Sequence, residues 1–241
     1  MKNIFAFIGS PLKEKSNTFT LTKMMLDRIL EIDNNVNIDA YTAGSLKLEF
    51  CRGCWQCMTR GFCPQDANDN MGPLKEKMLE ADFIILGSPV YTVSVSGQTK
   101  TFFDRLCSWY HMIRLAGKPG MSVVTTAHDA AGEVHEFMTM LMSALGIYSV
   151  ARLSAFAYFP GVYADQQKAK DDAVKTAEII YPYISGEKKA ESNQYMEEAF
   201  AVMKKKVLYG KKYLGADYEY WEKNGMLDIN SYGELLEKKR K

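Results

Sequence analysis

The 241-residue chain predicts an α/β fold, a three-layer sandwich in which helices cover both faces of a five-stranded parallel sheet. Two observations predict it. Short, nearly continuous apolar runs recur at 3–8, 36–41, 83–88, 121–126 and 149–157, each the length of a strand buried on both faces. Between them lie segments with helical apolar spacing, so strand and helix alternate five times over residues 1–185.

Each element has its own signal. The first run, Asn3 to Ile8, ends at Gly9, and Asn17 or Thr18 can cap the helix that follows over 19–32. That helix repeats apolar residues at Leu21, Met24, Met25, Leu26, Ile29 and Leu30. Ile38 and Ala40 share one face of the second strand. A helix over 71–81 turns Leu74, Met78 and Leu79 inward and leads to the third strand. A helix over 98–110 carries Phe102, Phe103 and Leu106 on its apolar side. A Met-rich helix over 134–145 closes at Gly146, and a last helix spans 166–184. Right-handed crossovers and five strands favour the order 2-1-3-4-5, which is flavodoxin-like, over a six-stranded dinucleotide fold.

Residues 1–185 therefore form one α/β domain, and 186–241 a helical extension. Ser185 to Lys189 is a polar linker. An amphipathic helix over 193–213 follows, with Met196, Ala199, Phe200, Met203 and Val207 as its stripe. Tyr218, Tyr220, Trp221, Met226 and Leu227 are too large and apolar to stay in water, so the extension is expected to pack on the core or on a second subunit. A homodimer or homotetramer is the expectation.

Composition narrows the function. Thirty basic and twenty-nine acidic residues leave a net charge of +1, which points to neither nucleic acid nor an anionic membrane as partner. No run of eighteen apolar residues exists, and the first apolar run ends in Gly-Ser-Pro instead of a cleavage site. A cytoplasmic protein is expected.

Ligands of open α/β sheets bind at the carboxyl ends of strands. The loop after the first strand runs Gly9-Ser10-Pro11 to Ser16-Asn17-Thr18, rich in hydroxyls and placed before a helix N-terminus that favours phosphate. It is neither a Walker loop nor GxGxxG. The loop after the third strand, Gly87-Ser88-Pro89-Val90-Tyr91-Thr92 to Ser96-Gly97, offers a wall suited to a flat heteroaromatic ring.

Together with the helix Lys100 to Leu106, these two loops resemble the NAD(P)H-dependent FMN reductase family of flavodoxin-like proteins over residues 1–185. The resemblance implies that Ser10, Ser16, Asn17 and Thr18 hold the FMN phosphate. It implies that Pro89, Val90, Tyr91 and Thr92 flank the isoalloxazine. The loop after the fourth strand, with Thr126, Ala127 and Gly132, would complete the site.

Four of the five cysteines, Cys51, Cys54, Cys57 and Cys63, lie within thirteen residues as C-x2-C-x2-C-x5-C. The spacing is close to, but not the same as, the bacterial ferredoxin run. It resembles the cysteine motif of the iron–sulfur flavoprotein branch, which implies a [4Fe–4S] cluster. Loop structure without a cluster remains the alternative. Zinc fits poorly, because its knuckles are usually separated by a longer insert. His111, His128 and His135 show no metal spacing.

The expected activity is a flavin oxidoreductase. The resemblance implies that NAD(P)H delivers hydride to flavin N5, and that a small-molecule or protein acceptor then takes the electrons. No catalytic side chain is required. Two other readings stay open: an electron-carrier protein, and a thiol redox protein using Cys54 and Cys57.

Overall fold

A computed structural model describes residues 1–240. The chain runs β1 (Lys2–Ile8), α1 (Asn17–Ile32), β2 (Val36–Thr42), α2 (Gln56–Thr59), α3 (Met71–Glu80), β3 (Phe83–Tyr91), β4 (Ser94–Val95), α4 (Gly97–Asp104) and α5 (Cys107–Met112). It continues through β5 (Lys118–Thr126), α6 (Ala131–Leu145), β6 (Ile147–Phe159), β7 (Val162–Tyr163), α7 (Gln166–Ser185), α8 (Gln194–Tyr209), α9 (Gly215–Lys223) and α10 (Tyr232–Arg240).

Five strands pair in parallel in the order β2-β1-β3-β5-β6. Counted without the hairpins, that is the expected 2-1-3-4-5. The two further strands are return arms: β4 turns back on β3 and β7 on β6, both antiparallel and both at the carboxyl end of the strand they join. The last parallel strand, expected over 149–157, is longer at both ends.

The layering follows from strand alternation. Ile4 and Ala6 of β1 face α1 and α7, while Phe5 and Phe7 face the layer of α3, α4 and α6. The Phe7 ring stacks on Phe102 with centroids 4.0 Å apart. Each fully buried side chain of this size contributes roughly 2 kcal/mol. Leu79 departs from its expected inward place: it stays exposed, one position beyond the stripe of Leu74 and Met78.

Two other boundaries differ. The cap of α1 is Ser16, whose extended backbone suits the position and whose Oγ accepts from the Phe19 amide. The helix expected over 98–110 breaks after Asp104 and restarts at Cys107. Arg105, at the break, is drawn to the buried carboxylate of Asp69 and the partly exposed one of Asp66.

The extension folds back on its own chain. Phe200, Trp221, Tyr232 and Leu235 pack with Ile113 and Ala116. Tyr232 donates to the Gly146 carbonyl at 2.7 Å and accepts from the Gly117 amide at 3.0 Å. The Trp221 indole donates to the His111 carbonyl at 2.7 Å. Lys206 can only donate, so at 2.8 Å its ammonium makes His111 Nε2 an acceptor. His111 Nδ1 then carries the proton and donates to Asp217, 2.6 Å away. The helix expected over 193–213 stops at Tyr209, and α9 starts afresh at Gly215. Among the described residues no helix is long and apolar enough to cross a membrane.

His135 lies on the buried side of α6 with Nδ1 2.7 Å from Ser122 Oγ. Burial, with Arg152 nearby, pushes its pKa down to about 4. Between the unfolded value of about 6.5 and that value, the unfolded chain binds the extra proton. Stability is therefore expected to fall as pH drops through this window, by up to about 1.4 kcal/mol per pH unit. Urea melts across the window should show that slope, and His135→Gln should flatten it.

Candidate functional site

The strand order reverses between β1 and β3, and a cleft opens there at the carboxyl ends of the strands. Its cavity, ≈ 190 Å³, is lined by Ser10, Leu12 and the start of α1, by Pro89, Val90 and Tyr91 of β3, by Thr125 to Ala127, and by Ala157 to Pro160. No charged side chain is in that lining. An anion would meet only hydroxyls, backbone amides and the positive end of α1.

Buried hydroxyls join the loops. Ser96, the cap of α4, donates through Oγ to the Gly9 carbonyl and accepts from the Thr99 amide. Thr99 Oγ1 donates to Ser88 Oγ at 3.0 Å, and the Ser96 amide donates to the same oxygen at 3.0 Å. Ser88 in turn donates to the Pro89 carbonyl at 2.8 Å. The Gly9 amide bonds to the Gly87 carbonyl at 2.8 Å. A third loop is tied in by Thr18 and Thr125, whose buried hydroxyls lie 2.6 Å apart.

This close approach requires glycine at position 9, where a Cβ would sit 1.8 Å from Thr99 Oγ1. Strain is stored next door. Tyr91 pairs with Ser94, so Thr92 and Val93 form a two-residue hairpin turn, both with positive φ, at 50° and 62°. Turns of this type favour Asn and Gly, and a β-branched valine there is a backbone outlier.

Ser10, Ser16, Asn17, Thr18, Pro89, Val90, Tyr91, Thr126 and Ala127 all line the cavity. Three placements differ from the sequence reading. Asn17 turns both ends of its carboxamide to the β6–β7 hairpin: it donates to the Phe159 carbonyl at 2.8 Å and accepts from the Gly161 amide at 2.7 Å. Thr92 lies in the turn, outside the lining. Gly132 is the second residue of α6 and also lies outside it. The sequence reading missed Tyr158, Phe159 and Pro160, a wall contributed by the overhang of β6. Its available signal was the apolar run continuing past Ala157 into Pro-Gly.

The cysteine loop lies in sequence between the first and second cleft loops and is fixed by Arg105. The guanidinium donates to the Glu49 carbonyl at 2.9 Å, to Asp66 at 2.7 Å and to Asp69. Lys75 holds the other oxygen of Asp66 at 2.7 Å. Burial alone would lower the Arg105 pKa, but Asp69 and Asp66 outweigh it and raise it. Burial likewise opposes ionisation of Asp69, yet Arg105 and the Glu49 and Met71 amides hold its carboxyl below the usual range.

Within the loop Cys51 and Cys54 are exposed, and Cys57 and Cys63 are partly buried. Burial pushes the Cys57 thiol up, and so does the neighbouring Cys107. By chemistry the donor set fits an iron–sulfur cluster: four soft sulfurs on one loop. By geometry, no three metal-ligating side chains gather among the described residues.

Comparisons with known proteins agree with this architecture. The model of the family described as NADPH-dependent FMN reductase matches residues 2–160. An iron–sulfur flavoprotein of Archaeoglobus fulgidus is 32% identical over 224 residues, covering 91% of this chain and 97% of the relative. One of Methanocaldococcus jannaschii is 34% identical over 130 residues, 54% of this chain and 65% of the relative. An NADH:FMN oxidoreductase in its apo form superposes with a TM-score of 0.56 at 19% identity, over 81% of this chain and 94% of that one. An FMN-dependent NADH-azoreductase of Bacillus anthracis, in complex with FMN, gives 0.55 at 13% identity, over 74% and 96%. At such identities the structures bear on the fold alone.

Two substitutions test the loop geometry. Gly9→Ala is expected to cost roughly 2–3 kcal/mol, because Thr99 must leave its place. Val93→Gly is expected to stabilise the chain by about 1 kcal/mol by removing the strained φ. Chemical denaturation reads both.

Proposed function

The chain belongs to the NADPH-dependent FMN reductase family, and on that premise we propose that it is an oxidoreductase that carries FMN in the cleft and takes electrons from NADH or NADPH. The observation that carries the reading is the union of three hydroxyl-linked loops around an uncharged cleft at the strand-order reversal. Bound FMN would supply the redox chemistry, accepting hydride from a reduced nicotinamide and passing electrons to an acceptor.

The chain's own residues bind and orient. Ser10, Ser16 and Thr18 offer hydroxyls beside the amides of the first turn of α1, which suits the phosphate. Asn17 acts by position: it clamps the β6–β7 hairpin against that turn. Pro89, Val90 and Tyr91, with Thr126 and Ala127 opposite, suit the two sides of a flat ring. Tyr158 and Phe159 give an exposed aromatic rim at which a nicotinamide can stack. The lining contains no Asp, Glu, His, Cys, Lys or Arg, which fits chemistry carried by the cofactor.

We propose further that Cys51, Cys54, Cys57 and Cys63 hold an iron–sulfur cluster, which would supply one-electron chemistry. Their spacing and the iron–sulfur flavoprotein relatives support this. Exposed Phe50, Trp55 and Phe62 on the same loop support association with a second copy of the chain.

Anaerobic purification with flavin, iron and sulfide assays tests both proposals. One FMN per chain is expected, with about four irons and four sulfides. Flavin without iron after reconstitution would reject the cluster and leave the reductase. Failure to bind FMN would overturn the whole reading. Rapid flavin bleaching by NADH or NADPH is expected, and its absence would favour an electron carrier reduced by another protein. Ser16→Ala removes a helix cap and a hydroxyl from the cleft, so FMN affinity should fall about tenfold in a fluorescence titration.

A further inference from the structure

The opposite, amino end of the sheet holds a second cavity, ≈ 700 Å³, sharing no lining residue with the cleft. That volume is within the range of small-molecule sites. Its walls are the starts of β1 and β5, the end of α7 with the linker after it, and α10 of the extension.

Its charge is one-sided. Arg114, Lys118, Lys188, Lys189, Lys239 and Arg240 line it. Lys2 does too, but pairs with Asp82, the one carboxylate in the lining, at 3.2 Å. None of the other six has an ion-pair partner among the described residues. Composition does not explain this, because the chain as a whole carries only +1.

Four of the six cations are also held in place. Lys118 donates to the carbonyls of Leu79 at 2.8 Å and Ala81 at 2.6 Å. Lys239 donates to the Ala116 carbonyl at 3.1 Å, and Arg240 to that of Ala190 at 2.6 Å. The Arg114 guanidinium sits 4.9 Å from the centroid of the Tyr220 ring. Carbonyls and a ring face fix these groups without neutralising them, and each keeps further N–H donors free. Desolvation holds both lysines below their usual pKa, with Lys239 adding to the effect on Lys118 and Arg114 to that on Lys239, while Asp82 pulls Lys118 the other way. Like charges gathered this way repel until an anion enters.

We propose that this cavity binds the pyrophosphate group of a small molecule, gripped between the α/β core and the C-terminal helices. A chain of phosphates matches several fixed cations at once, and arginine adds a bidentate fork. The group can be free pyrophosphate or part of a nucleoside diphosphate.

Calorimetric titration of FMN-saturated protein at low salt tests it, with inorganic pyrophosphate, orthophosphate and ADP as probes. Pyrophosphate is expected to bind once per chain and more tightly than orthophosphate. Arg114→Gln/Lys239→Gln should weaken it at least about tenfold, with FMN content unchanged. Lys188→Gln/Lys189→Gln, both exposed and without a side-chain hydrogen bond or ion pair among the described residues, should weaken it about threefold. ADP binding more tightly than pyrophosphate would assign a nucleotide, and equal affinity would assign the bare group. Absence of binding overturns the proposal. So does displacement of FMN by the probe, or an equal loss in the surface control Lys170→Gln/Lys175→Gln.

Discussion

The candidate site depends on one buried hydrogen-bond knot. Ser96 reaches the Gly9 carbonyl, Thr99 reaches Ser88, and Ser88 closes on Pro89. Loops that leave different strands would otherwise move independently at the sheet's edge. A buried hydroxyl without a partner is costly, so each member holds the next in a single arrangement. The knot also explains why position 9 has no side chain: the first loop must touch the fourth helix. The strained turn at Thr92 and Val93 is sustained by the same frame, which fixes both strands of its hairpin.

Much of this was legible in the sequence. The parallel strands were visible because burial on both faces makes them nearly continuous apolar runs. The order followed from their number and handedness. The loops at 9–18 and 87–97 were legible because they combine small residues and hydroxyls at strand ends. What escaped was set by tertiary contact. Asn17 reads as a phosphate ligand beside a helix start, yet its partners lie more than 140 positions away, in the β6–β7 hairpin. The break after Asp104 is invisible locally, because it depends on Asp66 and Asp69. Helix α10 carries only Tyr232, Leu235 and Leu236 inward among charged residues, too sparse a stripe to announce a helix.

The cysteine loop and the extension solve a common difficulty by different means. Neither has a sheet to order it. The loop is held by charge: one buried guanidinium gathers two carboxylates and a carbonyl. The extension is held mainly by apolar burial, with Tyr232, Trp221 and the Lys206–His111–Asp217 series supplying direction. A buried guanidinium tolerates no loss of its partners, whereas an apolar cluster tolerates modest changes of shape. The two appendages therefore differ in how much sequence variation each can absorb.

The double grip of Asn17 has a thermodynamic corollary. Its backbone belongs to the first turn of α1, the place an anion would press upon, while its carboxamide holds the rim of the cleft. Tyr163 adds a third tie, from its hydroxyl to the Asn17 carbonyl at 2.6 Å. The first turn of α1 and the aromatic rim therefore share one residue, and any coupling through it acts equally in both directions. One asparagine thus ties the start of a helix to a hairpin that arrives from the far end of the sheet's chain order.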